Sequence, residues 1–291
     1  MIIQAAILFA GLPLLVRLMA RLVEQRGAGL PLDRAWPDVC WGRVAGGFHF
    51  VVGCLLVHLA FTYALPGLAG RWLGVEALQK TEPALASVYA ALLMIGQWVL
   101  TCGLILGYVA LRARGRMTAL GLTARRLPRA AWEGLKTLTA AMPAVIIALY
   151  AAMRIYLLVF HEPPPEHPVL EAVQQTDDTG LRIAFFVLAG LLIPLFEELF
   201  YRGIILTSLL RTGSAPLAIV VSAVFFGIVH FPQPASVPAL VILGLGLGYA
   251  YYRTRSLWAP VAMHAAFNLY NLALTVGTPF LVDRLNPPGA S

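Results

Sequence analysis

Residues 188–210 read LAGLLIPLFEELFYRGIILTSLL. A membrane-crossing helix needs roughly 20 mostly apolar residues, and the only charged groups in this run are Glu197, Glu198 and Arg202. A carboxylate near the centre of a bilayer costs roughly 2.5–3.5 kcal/mol to insert. Two adjacent carboxylates also oppose each other's ionisation. Ionisable residues inside spanning helices mark sites and pathways, so this run predicts both the fold class and the location of the chemistry.

Composition agrees. Of 291 residues, 59% are hydrophobic and 12% charged, and the mean hydropathy is +0.79. An ordinary soluble domain has about 45–50% apolar and about 25% charged residues. A soluble enzyme, a disordered chain, a collagen-like fibre and a disulfide-stapled secreted domain are excluded. The expected fold is an all-α polytopic transmembrane bundle. The net charge of +7 comes from basic clusters between apolar spans, which face anionic lipid and set topology. No pattern for nucleic-acid binding accompanies it. Cys40, Cys54 and Cys102 form no C-x-x-C pair and receive no chemistry.

About eight spans are expected, at 2–22, 44–66, 87–111, 137–160, 183–206, 215–231, 236–252 and 256–276. The first reads as a retained helix rather than a secretory signal, since it lacks a basic n-region and a small-x-small cleavage site. Fifteen Lys and Arg fall in loops on one side and four (Arg71, Lys80, Arg182, Arg284) on the other. The positive-inside rule then places both termini outside the cytoplasm. The stretch 161–179 has no Lys or Arg and carries Glu162, Glu166, Glu171, Asp177 and Asp178, as suits an exterior loop. Residues 117–136 read as a short interfacial helix on the cytoplasmic side, with Trp132 and Leu135 toward lipid, or equally as a solvated basic loop. Tyr249, Tyr251 and Tyr252 read as an aromatic belt beside Arg253. Gly244, Gly246 and Gly248 permit close helix approach. His49 and His58 read as structural or interfacial.

Helical geometry separates the two glutamates. Glu198 and Arg202 are four apart, about 40° from each other around the axis, and can pair. Glu197 points about 100° away from Glu198 and is the carboxylate expected to face a cavity. Two later spans carry polar groups at the same spacing: Phe226 with His230, and His264 with Asn268. A buried His or Asn needs partners in the bilayer. Each pair alone fits packing by interhelical hydrogen bonds. Three such helices in succession favour a site in the C-terminal half.

At these residues the sequence resembles the CPBP family, which includes CAAX prenyl protease 2 (Rce1 type) and bacteriocin-processing or Abi proteins. EELFYR (Glu197–Arg202) resembles its E-E-x-x-x-R motif, FGIVH (Phe226–His230) its F-x-x-x-H motif, and HAAFN (His264–Asn268) its H-x-x-x-N/B motif. The similarity covers about residues 181–276 and implies a protease core over 137–291, preceded by N-terminal helices with basic cytoplasmic loops over 1–136. It implies an intramembrane glutamic endopeptidase. Glu197 and His230 would activate water, His264 and Asn268 would bind the oxyanion, and Glu198, Arg202 and Phe226 would support them. It also implies metal-free catalysis without cofactors, with a His₂Glu zinc set from Glu197, His230 and His264 as the alternative. The partners it implies are membrane lipid and a peptide or protein substrate with a membrane-anchored C-terminus, not nucleic acid. The location it implies is multi-pass, in a bacterial inner membrane. Two other classes stay open: a non-catalytic immunity or scaffold protein of the same fold, and a proton-coupled transporter using a Glu/His relay. A transporter should carry ionisable groups through both halves, and the first four expected spans hold almost none.

Overall fold

The structure, a computed structural model, describes residues 127–212 and 214–285, together with scattered positions between 58 and 122. Among the described residues there is helix and no strand. Helix α1 covers Leu65–Trp72, α2 Leu127–Phe160 and α3 Pro168–Gln175. A long helix then runs through α4 (Thr179–Val187), π-helical turns at Leu188–Leu192, α5 (Ile193–Glu198), further π-helical turns at Leu199–Leu206, and α6 (Thr207–Thr212). Helices α7 (Ala215–Ile228), α8 (Val237–Thr254) and α9 (Trp258–Leu285) follow.

Among the described residues three helices are long and apolar enough to cross a membrane: Leu127–Phe160, Thr179–Leu210 and Pro234–Thr254. The expected span at 2–22 lies outside the described residues, and those at 44–66 and 87–111 are described only in part. The sequence places a boundary between an interfacial segment and a span at 136/137, but α2 runs through it without a break. Lys136 is paired with Glu133 at 2.6 Å on that helix. The 34 residues of α2 extend about 51 Å, against about 30 Å of hydrocarbon. Its first turns carry exposed Trp132 and Leu135.

The chain divides into two compact units. Within the first lie described residues 127–165 and 197–263. Here α8 packs on α7 and on α2, and small residues set the approach. A Cβ on Gly244 would come within 3.0 Å of the Ala223 Cα, and one on Gly134 would strike the backbone carbonyl of Ala259. Gly121, with φ +75°, lies against Arg255–Leu257, and its carbonyl accepts the Ser256 hydroxyl at 3.3 Å. Tyr251 corrects the aromatic-belt expectation. It is buried, with its hydroxyl 3.2 Å from Thr207 Oγ1.

Within the second unit lie described residues 166–196 and 264–285. The stretch 161–179 is not a plain loop. It contains α3, whose N-terminus is capped by His167 Nδ1 accepting the Val169 N–H at 3.2 Å. Asp178 caps α4 by accepting the Leu181 N–H at 2.8 Å. His58 is buried against Trp98, ring centroids 4.9 Å apart, which fits its structural reading.

Candidate active site

Glu197 and Glu198 end α5, between two stretches of π-helical turns. Such turns are rare and concentrate at functional sites. Glu198 and Arg202 are fully buried, and Arg202 Nη1 donates to Glu198 Oε1 at 3.0 Å. The i, i+4 pair read from the sequence is therefore formed. A buried ion pair is tolerable only where further hydrogen bonds compensate for lost water, and α8 supplies one: Arg202 Nη2 donates to the Gly244 carbonyl at 3.1 Å. A side chain at 244 would press on Ala223, so glycine there lets that carbonyl come close. The Arg202 guanidinium also stacks over the Phe226 ring at 4.8 Å and lies 5.9 Å from the Tyr201 ring, a cation–π arrangement that favours the charged form. The hydroxyl of Thr207 donates to the Arg202 carbonyl at 2.9 Å, and that of Ser222 to the Tyr201 carbonyl at 3.3 Å.

Phe226 ties two motifs together. Its ring faces Arg202 and meets Tyr201 edge-on at 5.3 Å. Its carbonyl lies 2.8 Å from His230 Nδ1. Helix α7 ends at Ile228, and the His230 N–H turns to the Gly227 carbonyl at 3.1 Å instead of reaching Phe226. The carbonyl so released is taken by the imidazole of the same residue. Because a carbonyl only accepts, Nδ1 carries a proton in this contact, and whenever the ring is neutral Nε2 is its acceptor nitrogen. The four-residue spacing of F-x-x-x-H thus fixes one tautomer. Glu197 is buried.

The structure brings Glu198, Arg202, Phe226 and His230 into one network within the first unit. His264 and Asn268 lie on α9 in the second unit, with His264 buried and Asn268 half-buried. There Asn268 Nδ2 donates to the Ala189 carbonyl at 2.8 Å. Among the described residues no three His, Cys, Asp or Glu side chains gather closely enough to hold a metal ion. The sequence reading missed Gly244, Ser222 and Thr207 as partners of the motif helix. Gly244 acts through its backbone, which leaves no mark in the sequence beyond a small residue.

These features define an integral membrane protein of apolar helices whose C-terminal half carries a buried, charge-compensated polar site. Residues 179–270 match the family described as type II CAAX prenyl endopeptidase, Rce1-like, and this stretch contains all three motifs. The resemblance read from them is borne out there. A relative described as "Putative membrane peptidase YdiL", from Bacillus subtilis (strain 168), is 29% identical over 87 residues, which make up 29% of this chain and 34% of the relative. The chain thus spans about a third of the length of that relative. No solved structure matches.

Proposed function

We propose that this chain is an intramembrane endopeptidase that hydrolyses a peptide bond with glutamate- and histidine-activated water. The observation that carries the reading is the double duty of Phe226. It holds Arg202, the counter-charge of Glu198, with its ring, and orients His230 with its carbonyl. The pair of Glu198 with Arg202 stabilises a helix that bears two adjacent carboxylates, and Glu197, buried next to it, is the carboxylate assigned to the chemistry.

In this proposal the Glu197 carboxylate takes a proton from water while Nε2 of His230 aligns the same water. The hydroxide oxygen forms a bond to the scissile carbonyl carbon. The carbonyl electron pair moves to oxygen, where His264 and Asn268 donate to it. The proton held by Glu197 then passes to the amide nitrogen, the oxyanion's electron pair re-forms the carbonyl as the C–N bond breaks, and a carboxylic acid and an amine leave. General base catalysis and oxyanion stabilisation are the two contributions this chemistry needs. The reaction requires no cofactor in this reading. The full bundle has eight spans with both termini outside the cytoplasm, in a bacterial inner membrane. The substrate is a peptide or protein whose C-terminus is held at the membrane.

Proteomics of new C-termini in native membranes, comparing wild type with Glu197→Ala, tests this. Cleavage products present only with wild type, and persisting when phenanthroline is added, are expected. Identical C-termini in both strains would reject the peptidase. Products lost on chelation and restored by Zn²⁺ would replace the water-activation step with Lewis-acid hydrolysis.

A further inference from the structure

Pro194 has no N–H and therefore leaves one carbonyl of its own helix without a backbone donor. Which carbonyl that is depends on the helical register. In α-helical register, residue 194 would bond the carbonyl four back, Gly190, and Ile193 would bond Ala189. In π-helical register each donor reaches five back, so residue 194 would serve Ala189 and Ile193 would serve Leu188. The Ile193 N–H does bond to the Leu188 carbonyl, so the π-helical pattern is in force and Ala189 is the carbonyl without a backbone donor. That carbonyl accepts Asn268 Nδ2 at 2.8 Å. The fit is local and close. Ala189 and Gly190 are buried, and a Cβ on Gly190 would come within 2.5 Å of Leu269 Cδ2, the neighbour of Asn268 on α9.

We propose that Asn268 selects the π-helical register at Leu188–Leu192 by satisfying the one carbonyl that Pro194 leaves open in that register. It thereby sets the azimuth at which the following turn delivers Glu197. A one-residue change of register rotates that turn by about 100°, enough to swing a carboxylate out of its site. Asn268 is then a positioning residue, through one amide hydrogen, in addition to the oxyanion donor that its second hydrogen can be. This extension rests on the peptidase reading only in what it says about Glu197.

The test uses the full chain in nanodiscs, with Cys40, Cys54 and Cys102 replaced and spin labels at Ile183→Cys and Leu210→Cys, on either side of Pro194. Asn268→Leu keeps the size and removes the donor. It should shift the inter-label distance by several ångströms and lower kcat more than tenfold with KM held. An unchanged distance distribution alongside lost turnover would overturn the proposal and leave Asn268 as an oxyanion donor alone. Pro194→Ala gives Ala189 a backbone donor in either register, so Asn268→Leu should cost much less melting temperature in that background. Additive losses in the double variant would also overturn it. The distance readout needs no substrate. A wild type without turnover but with the expected shift would reject the peptidase and leave the register assignment standing.

Discussion

Glu197 and Glu198 are neighbours in sequence with different electrostatic tasks. Glu198 is one half of a fully buried pair, its partner Arg202 held by the Gly244 carbonyl and the Phe226 ring. Removing one member of such a pair strands the other charge and costs roughly 3–5 kcal/mol. Glu198→Gln should therefore lower the melting temperature in detergent and reduce abundance, with activity falling as a consequence. Adding Arg202→Met should recover part of the loss, because both charges are then gone. Glu197→Gln should keep the shape and the fold while removing the proposed base, a contribution of typically about 10²–10⁴-fold in rate. Thermal melts and turnover of detergent-matched variants separate the two. A Glu197→Gln protein that unfolds, beside a stable but inactive Glu198→Gln protein, would mean the roles are exchanged.

At the scale of the element, what the sequence revealed depended on where each partner lay. Glu198 with Arg202 and Phe226 with His230, each four apart, could be read as pairs because helical spacing brings such positions to one face, although Arg202 lies in π-helical turns and His230 just past the end of α7. The partners of Thr207 and of Arg202 beyond its own helix lie 44 and 42 residues away and had no local signature. Tyr251 was misread for the same reason: an aromatic residue beside Arg253 at the end of a span looks like a belt until its distant hydroxyl partner is known. The π-helical turns were equally hidden, since a proline in an apolar run signals a kink without saying how the helix absorbs it. Helix α3 shows a third case, a capped helix inside a stretch that composition reads as loop. Burial holds the His167 imidazole below its ordinary pKa, and the neutral ring is what accepts the Val169 N–H. The folded state then binds fewer protons than the unfolded chain, so this contribution is complete above the unfolded pKa of about 6.5 and is lost as pH falls below it. Amide exchange over residues 169–173, corrected for intrinsic rate, should lose protection as pH is lowered through 6. Asn in place of His167 keeps a capping side chain that does not titrate, and should abolish that dependence.

At the scale of the whole molecule, the all-helical class and the C-terminal placement of the polar motifs were legible in the sequence. The number of crossings belongs to the proposal. Its basis is the asymmetry of fifteen Lys and Arg against four, which predicts that a cysteine at Ser291 is labelled by impermeant reagents from the outside and one at exposed Arg253 from the cytoplasm. Ser256, close by, is buried and would report nothing. Labelling of Ser291→Cys from the cytoplasmic side alone would invert the arrangement.

Helix α7 is shorter than the layer it would cross. The 14 residues of α7 extend about 21 Å, some 9 Å less than a typical hydrocarbon layer. The turn that follows supplies hydrogen bonds from within: Phe231 N–H to Ile228, Gln233 N–H to His230 and Ser236 N–H to Gln233. In the eight-span proposal, where α7 is a crossing, lipid around it must compress, or the headgroup boundary must dip toward His230, at a cost of fractions of a kcal/mol per ångström of mismatch. A dip shortens the distance that water travels to a hydrolytic centre placed in oil. Acyl-chain length then becomes a control on rate. Turnover in vesicles of short-chain lipid should exceed that in long-chain lipid at equal fluidity, and a rate indifferent to chain length would show that the bilayer does not yield at α7.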